Sequence, residues 1–113
     1  MPNALVKIVR RFAADADANP DDKLFNDPSP EAQAADRARL AAYVHGQWAY
    51  IGVMAAAEIR IPYGKDFIVT EIESPGLWGI ESDSDEDYLN SVFEDEKETL
   101  LDMLESLKTF EME

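Results

Sequence analysis

Seven apolar residues near the end of the chain recur at helical spacing: Leu89, Val92, Phe93, Leu100, Met103, Leu104 and Leu107. A helix with one such stripe needs another layer to bury it, so the rest of the chain must supply a receiving surface. Half of the positions between them are acidic. Residues 81–113 hold 13 acids against only Lys97 and Lys108, a net of −11 in a chain whose total is −14. Folding this segment as a helix therefore puts its carboxylates on a folded surface, and an electronegative face becomes the main clue to function.

The start of this helix is marked by Asp85, Glu86 and Asp87, which oppose the positive end of the helix dipole. Ser84 or Ser82 is the expected cap. Further upstream the period changes. From Gln47 to Ile61 the residues alternate, with Ile51, Val53, Ala55, Ala57, Ile59 and Ile61 on one side. Trp48, Tyr50, Met54, Glu58 and Arg60 take the other side, so this strand should begin buried on both faces and end half-exposed. Alanines 55–57 count against a strand on propensity alone. Pro62–Asp66 reads as a turn, Phe67–Glu73 as a second strand in antiparallel hairpin with the first, and Ser74-Pro75-Gly76 as another turn. Leu77–Glu81 can form a short third strand.

Two helices are expected before the strands. Leu5, Ile8, Val9 and Phe12 suggest one over residues 3–16. Asn19-Pro20-Asp21-Asp22 reads as a turn, and Leu24 and Phe25 as a pin for the loop that follows. Ser29 and Pro30 have the cap and first-turn chemistry of a helix running to Val44, closed at His45-Gly46. The expected fold class is α+β, in the order α-α-β-β-β-α: a small antiparallel three-stranded meander with helices on one face. A chain of 113 residues is read as a single domain over 1–113. Within it, residues 1–45 form a helical N-terminal region, and residues 46–113 hold the strands and the acidic C-terminal helix.

Composition narrows the function classes. The chain has no cysteine, which excludes disulfides, thiolate metal sites and cysteine nucleophiles, and it fits a reducing cytoplasm. The first residues carry basic side chains without an apolar run behind them, so no signal peptide is expected. No window approaches a spanning helix. Strong acidity opposes direct binding to nucleic acid or anionic lipid and favours a basic protein surface.

Asp83, Asp85 and Asp87 match positions one, three and five of a calcium loop, with Glu94 at position twelve. Tyr88 stands where that loop needs glycine, so helix capping is the favoured reading and only weak cation binding survives as an alternative. His45, the sole histidine, reads as a helix-end or surface residue. Phosphate-loop, dinucleotide, serine-hydrolase and zinc-protease motifs are absent from the sequence. No enzymatic activity, cofactor or metal is expected. Trp48, Tyr50, Tyr63, Phe67 and Trp78 fall in or beside the predicted sheet, as packing residues or, for one or two, as interface anchors.

The segment Gly76-Leu77-Trp78-Gly79-Ile80-Glu81-Ser82-Asp83-Ser84-Asp85-Glu86-Asp87-Tyr88-Leu89, preceded by Trp48-Ala49-Tyr50, resembles small acidic proteins of bacteriophages and mobile elements. The resemblance spans about 46–107 and carries no residue role. It implies an accessory protein in the cytoplasm of a bacterial host, and anti-CRISPR or other DNA-mimic inhibitors are similar in size and charge. The leading expectation is an interaction protein that presents carboxylates to a basic surface of a host nucleic-acid-handling protein. The residues expected at that contact are Asp83, Asp85, Glu86, Asp87, Glu94, Asp95, Glu98 and Asp102, with Trp78 beside them. The alternatives are a homo-oligomeric accessory protein whose acidity serves solubility, with a homodimer as its simplest form, and a weak cation-binding module.

Overall fold

In the computed structural model, which describes residues 3–20 and 24–113, the elements run β1 (Leu5–Ala14), α1 (Pro30–Val44), β2 (Tyr50–Tyr63), β3 (Asp66–Glu73), β4 (Leu77–Glu81) and α2 (Glu86–Ser106). The class is α+β with an antiparallel sheet, as expected, but with four strands and two helices. The order is β-α-β-β-β-α. β2 is the spine of the sheet. β1 lines one side of it, from Leu5↔Arg60 to Ala14↔Ile51. β3 and then β4 line the other side, from Tyr63↔Asp66 to Tyr50↔Glu81. β3 and β4 are thus one strand interrupted at Ser74-Pro75-Gly76. The Ser74 amide donates to the Ala55 carbonyl at 2.9 Å, and the Ala55 amide turns to the Ser74 hydroxyl at 3.0 Å.

The main correction is the first element: residues 5–14 are a strand, not a helix. Spacings of three and four also fit alternation when apolar residues are dense, and Val6, Ile8 and Val9 are β-branched, which favours extended backbone. Register with β2 decides it. Val6, Ile8, Arg10 and Phe12 stand opposite Ile59, Ala57, Ala55 and Val53, the side of β2 that faces α2. Arg10 is tolerated there because its guanidinium meets Glu86 and Asn90 on α2. The N-terminal region up to His45 is accordingly mixed rather than helical.

Other expectations hold closely. α1 starts after Ser29, whose hydroxyl accepts from the Ala32 amide at 3.2 Å, and Gly46 follows its end at φ +75°. The β2–β3 turn is tighter than Pro62–Asp66. Only Gly64 and Lys65 lie outside the strands, with Gly64 at φ +61° in the first central position of a two-residue turn. The Phe25 amide donates to Asp36 on α1 at 2.8 Å, which pins that loop. The turn expected at Asn19–Asp22 lies partly outside the described residues. α2 is capped by Asp85, not by either serine: its carboxylate accepts from the Asp87 amide at 2.7 Å. Ser84 instead donates to the Glu81 carbonyl, and Ser82 accepts from the Ala49 amide, so both tie off strand ends.

α2 lies over one face of β2. Val53, Ile80, Leu89 and Val92 form one core cluster, and Ala55, Ala57 and Leu100 form a second, flanked by Ile8, Ile59, Ile72, Met103 and Leu104. The alanines that weaken the strand on propensity are what let α2 approach, and Leu100 fills the space above them. Burial of a side chain such as Leu100 is worth about 1.5–3 kcal/mol. α1 reaches the sheet at Tyr50 through Tyr43, 6.0 Å between ring centroids, on the face opposite Val53. The helices therefore flank opposite faces, not one. Neither covers the far end of the β2–β3 hairpin, and the molecule measures 66 × 28 × 26 Å.

Candidate functional site

The fold divides the acids that sequence reasoning singled out into two groups, one on the outward face of α2 and one at or before its start. Asp87, Glu94, Asp95, Glu98 and Asp102 are exposed and sit opposite Leu89, Val92 and Leu100 around the helix. Among the described residues none of the five has an ion pair. They form a row about 22 Å long at 1.5 Å of rise per residue. Glu105 extends the row but is paired with Lys108 at 2.8 Å.

The remaining carboxylates hold the fold together. Asp83 accepts two bonds from Arg39 of α1, at 2.7 and 2.6 Å, and Glu81 lies 3.3 Å from the same guanidinium. Hydrogen bonding to Arg39 holds the Asp83 carboxyl below its ordinary range and raises the already high Arg39 value. The Arg39 guanidinium also stacks 3.8 Å above the Trp48 ring, and the Trp48 indole donates to the Arg39 carbonyl at 3.0 Å. Since α1 has no buried residue of its own, this Arg39–Trp48–Asp83 cluster docks it, together with Tyr43 against Trp48 and Tyr50. Glu86 pairs with Arg10, and Asp85 caps α2. On the sheet face away from α2, Arg11 reaches across β2 to Glu71 at 2.7 Å and Glu73 at 3.0 Å, and its hydrogen bond holds the Glu71 carboxyl low.

Two acids that sequence reasoning does not single out matter structurally. Glu96 is on the inner side of α2 and accepts from the Ser74 hydroxyl at 2.8 Å and the Gly76 amide at 2.6 Å. Its sequence signal is its position: it falls four residues after Val92 and four before Leu100, on the apolar stripe. Asp15 accepts from the Gly79 amide at 2.8 Å with one oxygen and from the Asp17 and Ala18 amides with the other.

Trp78 is half-exposed, with its ring lying across Gly52. A Cβ at Gly52 would meet Trp78 at 2.4 Å, so only glycine leaves room. The Trp78 indole donates to the Pro75 carbonyl at 2.9 Å. Trp78 is on the sheet face opposite α2, and the fold does not bring it to the acidic row. Trp48 and Tyr50 are buried, whereas Tyr63 and Phe67 are exposed on the hairpin. The His45 ring donates from Nδ1 to the Ala41 carbonyl at 2.7 Å, closing the end of α1.

The calcium-loop reading loses its geometry. Asp83 faces Arg39, Asp85 faces the Asp87 amide, and helix begins at Glu86, the fourth position of the twelve-residue span. Glu94 points outward from α2. Among the described residues no three His, Asp or Glu side chains converge as a metal site requires, and no helix is long and apolar enough to cross a membrane.

Compared with family models, curated proteins and solved structures, the chain has no significant match. The reading of function therefore rests on the chain's own surface.

Proposed function

We propose that this protein acts by binding, with the outer face of α2 as a docking surface for a basic protein surface of the kind that holds nucleic acid. The observation that carries this reading is the row Asp87, Glu94, Asp95, Glu98 and Asp102: exposed, free of ion pairs among the described residues, and fixed on a helix whose inner face is the core. A preorganised row loses little conformational freedom on docking, and its field steers a basic partner toward it. Asp83, Asp85 and Glu86 contribute field but are engaged within the fold, so they stand behind the contact rather than in it. In this reading the protein is an inhibitor that occupies a nucleic-acid channel in a bacterial host, of the DNA-mimic or anti-CRISPR kind, and what supports it is the charge of the row and the small size of the chain.

The test is capture from bacterial lysate on three baits: wild type; a row variant (Asp87→Asn, Glu94→Gln, Asp95→Asn, Glu98→Gln, Asp102→Asn); and a control with Glu71→Gln and Glu73→Gln. The expected result is a nucleic-acid-binding protein held by wild type and control, lost with the row variant, and released by duplex DNA or by raising salt past about 0.5 M, where screening is strong. A partner held equally by the row variant, or indifferent to DNA, overturns the reading.

A further inference from the structure

The acidic row leaves the other end of the molecule unexplained. There the second half of β2, the first half of β3 and the start of β1 project beyond both helices. The last α2 residues packed on the core are Met103 and Leu104, beside a cluster that Ile59 and Ile72 also flank. Past that point Ile61 and Ile68, which are paired across the hairpin, stay open on the α2 side. Leu5, Phe67 and Val69 stay open on the other, with Val69 60% exposed. Beyond the Leu5↔Arg60 pair the sheet narrows to two strands, with Arg60 over the Phe67 ring but no helix on either face, and so many exposed β-branched and aromatic side chains are not what a solvated ribbon requires.

We propose that this ribbon end is a self-association surface and that its occupant is a second copy of this chain. Area is the first argument. The chain exposes 8233 Å², whereas a compact monomer of its mass would expose about 6,200 Å². Its radius of gyration is 19.5 Å, against about 13 Å for a compact domain of this length. The excess, about 2,000 Å², lies partly on the exposed tail 105–113 and partly on the ribbon end, and a stable interface needs roughly 800 Å² of it from each partner. Charge is the second argument, and it selects the occupant. Residues 3–9 and 58–70 carry Lys7, Arg60 and Lys65 against Glu58 and Asp66, a net of +1 in a chain of −14. A basic partner gains nothing at such a surface. Two copies can meet there without opposing their acidic helices, and the same patch on both chains closes the contact around a two-fold axis.

Light scattering on the full chain at 10–200 μM tests this. Wild type should show twice its 12.7 kDa mass. The variant Phe67→Thr, Ile68→Thr and Val69→Thr, which keeps strand-forming residues, should weaken association at least tenfold with an unchanged far-UV spectrum. Wild type monomeric at 200 μM, or a variant that associates as well as wild type, overturns the proposal. Should the triple variant fail to fold, Lys65→Cys carrying a pyrene on the only cysteine of the chain provides a second readout. Excimer emission is expected from two ribbon tips in contact, and its absence at the same concentrations overturns the proposal.

Discussion

The two halves of β2 obey the same alternation and meet opposite fates. From Tyr50 to Ala57 nearly every residue is buried, on both faces; from Arg60 to Tyr63 nearly every one is exposed or half-exposed. Hydrophobicity does not separate them, since Ile59 and Ile61 are larger than Ala55 and Ala57. What separates them is what lies above. The first half has α2 on one face and Tyr43, Trp48, Trp78 and Arg11 over the other. The second half has only its neighbouring strands. Burial in a small sheet is decided by the length and placement of its covering elements, and the strand's own composition is secondary.

Leu100→Ala is the strongest way to break that contrast. Leu100 is fully buried over the alanines, so its truncation should cost about 2–5 kcal/mol. Ile61→Ala, at the open end, should stay within about 0.5 kcal/mol in the monomer. Equal costs by urea denaturation would show that the ribbon is covered in the monomer too. Gly52→Ala tests the other face of the covered half. Its methyl collides with the Trp78 ring, and the ring must lift, at about 1–3 kcal/mol and with a red-shifted indole emission. Glu96→Ala removes the acceptor for both Ser74 and Gly76 and should cost about 1–3 kcal/mol, with Glu96→Gln recovering much of it.

The smallest effect is the most specific to pH. The Asp83 carboxyl is held below its ordinary range by Arg39, so its contribution is present above the unfolded carboxylate value and is lost as pH falls through the folded one. Asp83→Asn should therefore lower stability at pH 7 by under about 1 kcal/mol, as for exposed pairs. The gap from wild type should close as pH drops below about 4, the ordinary Asp range. A gap that persisted at pH 2 would place the role of Asp83 elsewhere than in its charge.

The elements legible in the sequence are those whose signal is local. Ser29-Pro30 and His45-Gly46 bracket α1 chemically, Gly64 supplies the turn of the hairpin, and the stripe from Leu89 to Leu104 defines α2. β1 reads wrongly as a helix because its pattern satisfies two periods, and only pairing with β2 chooses between them. The division of the acids is hidden for the same reason. Glu86 meets Arg10 across 76 residues, and Asp83 meets Arg39 across 44, so no window of sequence holds both partners. The outward row needs only helical spacing, and it is legible.

The clasp of Glu96 on Ser74 and Gly76 bears on how the chain matures. A ribosome delivers all four strands before it delivers this glutamate. Until then the break between β3 and β4 is held by its own bonds, Ser74 to Ala55 and the Trp78 indole to the Pro75 carbonyl, in a sheet where a slip of one residue would turn every side chain of β3 to the wrong side. The nascent sheet thus has a hairpin turn at one end and, at the other, a break that still lacks its carboxylate. The arrival of α2 adds the Glu96 acceptor and the cover for the core together, from one face of one helix.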